Sequence, residues 1–184
     1  MIFLLVFFYG CGGPYYYDLY LEPLKTNEKI RIDKILFVED IVANEAYWTQ
    51  RMVYRNSPFM VQYFTFKQWA KRPGEMIKDA IILFYKKNLF FNKVIEEYSS
   101  IEPDIILKTN IFALEIMKKD KQWFAHLALD IEVIEKKNEK MILSHSFDRL
   151  KKIRGRKARY APEKISEILQ EELLEVVKKL ISKL

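Results

Sequence analysis

Between residues 123 and 134, apolar side chains fall on every second position. Trp123, Ala125, Leu127, Leu129, Ile131 and Val133 alternate with a set that includes His126, Asp130 and Glu132. Period-two alternation of this length belongs to a β-strand with one buried and one polar face. Residues 105–117 and 140–148 read as long strands on either side of it. The joining segments 118–122 and 135–139 are short and charged, as in an antiparallel meander.

The preceding half supplies further strands and one helix. Residues 15–21 alternate aromatic and aliphatic side chains and read as a strand. Residues 29–38 form a second strand, whose apolar parity breaks at Asp33-Lys34, where a bulge is expected. Residues 50–55 and 60–66 flank Asn56-Ser57-Pro58, whose turn chemistry predicts a hairpin. The eleven Tyr and thirteen Phe of the chain also favour a sheet-rich fold. Pro73 suits the first position of a helix, and Met76, Ile77, Ala80, Ile81 and Phe84 follow at helical spacing to about Asn88.

Pro162 opens a second, amphipathic helix. Ile165, Ile168, Leu169, Leu173, Val176, Val177, Leu180 and Ile181 form one stripe, which reads as core packing. Acids crowd its first half and lysines its end, matching the helix dipole. With no repeat or linker, the pattern predicts an α+β fold: a mostly antiparallel sheet with two helices packed on one face.

Catalytic signals are sparse. The five glycines form no phosphate loop, and two His and one Cys show no metal-ligand spacing. Ser144-His145-Ser146 sets a nucleophile beside a base, but strand neighbours point to opposite faces. His145 shares the parity of Met141, Leu143 and Phe147 and reads as a core or interface histidine. His126 fits a solvated sheet face, and Glu171-Glu172 an exposed helical face. A protein without enzyme activity, metal or cofactor is expected.

The net charge of +6 is local. Residues 151–159 hold six basic residues and no acid, and the rest of the chain is neutral. Placed between the last strand and the second helix, this run reads as a loop. Arg154, Arg156, Lys157 and Arg159 are candidates for contact with an anionic surface or a partner; a solvated connector is the plain alternative. A nucleic-acid-binding module would need a broader basic face than a neutral remainder provides.

Residues 1–9 are uncharged and apolar, and Gly10-Cys11-Gly12-Gly13-Pro14 follows. The run is shorter than the ~20 residues of a membrane-spanning helix but suits the apolar core of a signal. It resembles the lipobox of a bacterial lipoprotein, in which cleavage precedes a cysteine that carries diacylglycerol and a further acyl chain such as palmitate. Residues 1–10 are then a signal segment and residues 11–184 one α+β domain, anchored through Cys11. Phe8 and Tyr9 are bulkier than usual before Gly-Cys. No basic residue precedes the apolar run, so a start upstream of Met1 is expected. Gly12 after the cysteine resembles the pattern sorted to an outer membrane. A lone cysteine permits no internal disulfide.

After the lipobox come Tyr15-Tyr16-Tyr17-Asp18-Leu19, an Ile-rich strand ending at Val38, then Met52-Val53-Tyr54-Arg55, an aromatic strand with Tyr63, and Trp69-Ala70 before a helix. This order resembles the ABC-type transport auxiliary lipoprotein family, which includes the PqiC-type lipoproteins. The resemblance implies a periplasm-facing outer-membrane lipoprotein that serves a lipid-transport system without enzyme activity of its own. Its partner would be a mammalian-cell-entry-type substrate-binding protein served by an ABC permease and ATPase, and it could assemble as a homo-oligomeric ring. Within the motif Tyr15, Tyr54, Arg55 and Trp69 are expected to have structural roles. Arg55, close to a turn, either pairs with a carboxylate or is a plain surface arginine. Trp69 packs beneath the helix, and Tyr15 lies in an edge strand, with a place at the headgroup level of a membrane as its alternative. The alternative is another kind of envelope lipoprotein, a hydrolase or a peptidoglycan-related protein.

Overall fold

The computed structural model describes residues 13–24, 30–97 and 101–184. Its strands are β1 (Tyr15–Tyr17), β2 (Ile32–Val38), β3 (Val42–Ala43), β4 (Arg51–Ser57), β5 (Met60–Trp69), β6 (Phe91–Ile95), β7 (Ile105–Lys119), β8 (Gln122–Glu135) and β9 (Lys140–Lys152). Helices α1 (Pro73–Asn88) and α2 (Ala161–Ile181) complete the fold.

The long strand β7 organises the sheet. One edge pairs with β8 along its whole length, and β9 lies beyond β8, both antiparallel. The other edge is divided among three strands: β2 pairs near Ile105, β3 near Asn110 and β4 near Glu115, all parallel to β7. β6 extends the sheet outside β2, and β5 then β1 extend it outside β4. The sheet therefore forks around β7.

This corrects the mostly antiparallel expectation. The sheet is mixed: among the described residues five strand pairings are parallel and three antiparallel. The hairpin and the meander are antiparallel as the turns predict. Alternation identifies a strand and its faces but carries no information on distant partners, and every parallel pair here is non-local. Such pairs require long crossovers; β5, α1 and β6 supply one between β4 and β7. The sequence pattern also missed β6, a short strand entered directly from the left-handed cap at Leu89 (φ 55°). The register of β2 against β6 slips between Ile32 and Ile35, at the expected Asp33-Lys34 bulge.

Val38, Leu107, Val133 and Leu143 form one buried row across β2, β7, β8 and β9. Ile77, Ile81 and Phe84 of α1 and Ile165, Leu169, Leu173 and Val177 of α2 join the same core cluster. A strap of residues 18–24 binds both helices. The Tyr20 and Glu22 amides donate to Ser166 Oγ and Gln170 Oε1 of α2, and the Leu24 amide donates to Asn88 Oδ1 of α1. Gly74 fits against β3 because a Cβ there would stand 3.0 Å from the Ile41 carbonyl oxygen.

One irregularity positions the polar residues described below. The register of β7 against β8 slips between Ile111 and Ala113, leaving Phe112 exposed. Before this bulge Ile105, Leu107 and Ile111 face the core; after it Leu114 and Ile116 do. The extra residue shifts parity by one, and this carries Glu115 to the opposite face.

Candidate functional site

On that opposite face Glu115 is the hub of a buried polar cluster. Its Oε2 accepts from the Tyr47 hydroxyl at 2.7 Å and from Arg55 Nε at 2.6 Å. Its Oε1 lies 3.2 Å from His126 Nδ1, and His126 Nε2 lies 2.9 Å from Asp148 Oδ1. Glu115, Tyr47 and His126 are buried. Burial opposes ionisation of Glu115, but hydrogen bonds from His126, Arg55 and Tyr47 outweigh it and hold the carboxyl below its ordinary range. Burial likewise opposes the charged form of His126, yet its bonds to Glu115 and Asp148 raise its pKa. Burial first, and then the Glu115 charge, pushes the Tyr47 phenol up.

A second cluster joins β9 to α2. Glu172 is buried, with Oε2 2.8 Å from His145 Nε2 and Oε1 accepting from Arg149 Nε at 2.8 Å. Lys179 Nζ reaches His145 Nδ1 at 3.1 Å. Both clusters tie strand to strand or strand to helix, and the polar atoms of each are directed at one another. Among the described residues no group of three His, Cys, Asp or Glu could hold a metal ion.

Two side chains differ from expectation. His126 is not on a solvated face: it is buried, with one ring nitrogen against Glu115 and the other against Asp148. Glu172 is not exposed: it is drawn beneath α2 by His145 and Arg149, while Glu171 remains outside. His145 is buried beside Phe147, with ring centroids 5.9 Å apart.

Of the motif residues, Arg55 makes the ion pair with Glu115, and Trp69 is buried in the core with α1. Tyr54 packs on Phe64 with ring centroids 4.6 Å apart. Tyr15 is exposed in the edge strand β1, opposite Lys67. Cys11 and residues 1–10 lie outside the described residues. Glu115, Tyr47 and Asp148 escaped the sequence reading; an acid inside the apolar run Leu114-Glu115-Ile116 was the one available signal.

The basic run is also only partly a loop. Lys151 and Lys152 belong to β9, which runs four residues further than its alternation suggested. Lys151 pairs with Glu167 and Glu171 of α2. Two short 3-10 turns, Arg154–Arg156 and Ala158–Tyr160, then lead into α2, with Gly155 in the left-handed region (φ 64°). Arg154, Lys157 and Arg159 are exposed, and the Arg159 guanidinium stacks 4.9 Å from the Tyr160 ring centroid.

Open clefts border this framework. The cleft beside β3, about 650 Å³, is lined by Ile41, Val42, Trp48, Arg72 and Lys78. Another of about 610 Å³, between the strap and α2, is acidic, with Asp18, Glu22, Glu163 and Glu171. Among the described residues no helix is long and apolar enough to cross a membrane.

A family model described as "ABC-type transport auxiliary lipoprotein component" matches residues 17–171. No curated protein matches the chain in sequence. Among solved structures, protein XCC0632 from Xanthomonas campestris superposes with a TM-score of 0.78 at 14% identity, covering 89% of this chain and 92% of that one. The hypothetical protein CT253 from Chlamydia trachomatis gives 0.59 at 7% identity, over 82% and 99% of the two chains. At these identities the structures share the fold alone.

Proposed function

The chain belongs to the ABC-type transport auxiliary lipoprotein family, and from that premise we propose that it is a non-enzymatic accessory subunit of a system moving lipid between membranes. Residues 1–10 act as the signal segment, and residues 11–184 form the mature domain. Cys11 carries the lipid that holds this domain on the outer membrane, facing the periplasm. Its partner is a mammalian-cell-entry-type substrate-binding protein served by an ABC transporter, which it meets as a ring of identical subunits.

The observation that carries this reading is an adjacency. The family match begins at residue 17, directly after an apolar run that ends in Gly10-Cys11-Gly12-Gly13. A single acyl chain binds membranes only marginally, so stable anchoring needs the several chains that a lipoprotein cysteine bears. The buried polar clusters support a scaffold role, since their hydrogen-bonding groups are engaged with one another.

Mass spectrometry of the N-terminal peptide from the native host should find Cys11 as the first residue with its lipid attached. Cys11→Ser should release the protein from the membrane fraction. Density separation of the membranes and crosslinking to the substrate-binding protein test the location and the partner. An unmodified Cys11 would overturn the anchored reading; a lipidated protein that crosslinks to no transport component would overturn the accessory role.

A further inference from the structure

Strand direction brings three chain segments to one end of the sheet. β4 runs parallel to β7, with Arg55 opposite Met117, and antiparallel to β5, with Ser57 opposite Met60. β8 pairs with β9 so that Phe124, the partner of Met117, lies opposite Lys152. The β4–β5 turn, the β7–β8 turn and the exit from β9 towards α2 therefore stand side by side. β1 is parallel to β5, so the chain enters β1 from this same direction.

The β4–β5 turn presents consecutive apolar residues to solvent: Phe59 is 94% exposed, Met60 53% and Val61 41%. The turn is braced. Arg55 Nη1 donates to the Pro58 carbonyl at 3.3 Å, and Asn56 Nδ2 donates to Gln62 Oε1 at 2.8 Å across the hairpin. Held clear of the core by this braced turn, the Phe59 side chain adds little to folding. Its apolar area gains only when something else removes it from water.

The surroundings are cationic. The β7–β8 turn carries exposed Lys118, Lys119 and Lys121 against the single acid Asp120. Arg154 and Lys157 are exposed beyond β9. Among the described residues no carboxylate lies within ion-pair distance of these five cations. The nearest acids on α2 are matched already: Glu163 by Lys164, and Glu167 by Lys151 and Lys164. An apolar tip with unmatched cations along its β7–β9 side is the complement of anionic phosphates above a hydrocarbon boundary.

Chain length agrees with that orientation. Cys11 precedes Tyr15 by four residues, a reach of at most about 14 Å. β5 bulges against β4, so the rise from Lys67, opposite Tyr15, to Met60 follows β4, where Arg51 opposes Gln68 and Ser57 opposes Met60: about five residues, roughly 17 Å. The hairpin tip thus stands about 3 Å beyond the furthest level Cys11 can reach, so an extended tether brings the anchor and the tip to one interface.

We propose that this end of the sheet is a second membrane contact, in which Phe59, Met60 and Val61 enter the interface of an anionic phospholipid bilayer while Lys118, Lys119, Lys121, Arg154, Lys157 and Arg159 meet its headgroups. The surface rests on the lipid-anchored reading only for the direction of Cys11; the tip and the cations stand without it. A bilayer contact at this end fixes the orientation that a flexible tether alone leaves free.

The test uses the full chain with Cys11→Ser, so that no lipid contributes, and with Met60→Cys bearing an environment-sensitive fluorophore. Residues 1–9 are common to every variant, so differences among variants report the hairpin end. Vesicles of phosphatidylcholine containing phosphatidylglycerol should shift the emission to the blue, and phosphatidylcholine alone should not. Phe59→Ser with Val61→Ser should weaken partitioning about tenfold or more. Arg154, Arg156, Lys157 and Arg159 changed together to Gln should weaken it by at least about tenfold and flatten its salt dependence. Circular dichroism should show both variants folded.

Three results overturn the proposal. The fluorophore could stay in water while the protein sediments with vesicles, which places the membrane elsewhere. It could shift without vesicles as protein concentration rises, which makes a second copy the occupant. Binding could be equal on neutral and anionic vesicles, which removes the role of the cations. Because Cys11 is replaced throughout, a failure of native lipidation would not alter any of these outcomes.

Discussion

Arg55 on β4 reaches Glu115 on β7 with its Nε 2.6 Å from Oε2, a meeting made possible by the one-residue bulge at Phe112. Without that bulge Glu115 would share the parity of Ile111 and point into the apolar core. The pair locks the hairpin arm to the centre of the sheet. Breaking a buried pair from one side strands the other charge. Arg55→Ala should therefore cost roughly 3 kcal/mol in urea unfolding. Arg55→Met combined with Glu115→Leu should cost less than the sum of the two single changes. Simple additivity would show that the pair does not couple the two strands.

The same cluster sets a pH window. Glu115 is held below its ordinary 4.5, so its contribution is present above that pH and lost as pH falls through the lower folded value. His126 is raised above its ordinary 6.5, so its contribution is complete below 6.5 and lost as pH rises through the higher folded value. Arg55, Tyr47 and Asp148 are the other groups facing them. The cluster should stabilise most between about pH 4.5 and 6.5. His126→Gln should flatten the fall in Tm above pH 6.5; an unchanged alkaline slope would assign that fall to other groups.

Much of the framework was legible because periodicity reports which face a residue occupies. The meander, the hairpin at Pro58, both helices and the Asp33-Lys34 bulge follow from local pattern and turn chemistry. Partner choice was not legible. β7 gives one edge to three separate strands, and nothing in residues 105–119 announces that. The Phe112 bulge was equally hidden, since Ile111-Phe112-Ala113 reads as continuous apolar strand. From those two facts follow the misplacing of His126 on a solvated face and the missing of Glu115. Glu172 was misassigned for a simpler reason: its helical position borders the stripe, and only His145 and Arg149 on β9 draw it inward.

Tyr85 offers a test of an unpaired group. Its side chain is fully buried against Phe90 and Phe91, and its hydroxyl has no hydrogen-bond partner among the described residues. A buried donor without a partner carries its desolvation cost uncompensated. Tyr85→Phe keeps the ring and removes that cost. It should be neutral or stabilise by about 1 kcal/mol, read as an unchanged or higher Tm. A loss above ~1 kcal/mol would mean the hydroxyl is satisfied in solution.

Three consecutive residues of α2 should separate cleanly. Glu171 is outside and pairs with Lys151 in an exposed geometry, so Glu171→Gln should change stability by no more than about 0.5 kcal/mol. Glu172 is buried between His145 and Arg149, and Glu172→Ala leaves the His145 ring without its acceptor; a loss of roughly 1–3 kcal/mol is expected. Leu173 is fully buried in the core row with Leu169 and Val177, so Leu173→Ala should cost about 2–5 kcal/mol through lost transfer energy and the cavity left behind. The graded order Glu171, Glu172, Leu173 is the expected outcome of denaturant titration. A neutral Leu173→Ala would show instead that the α2 stripe is held off the sheet in solution and is free to meet a partner.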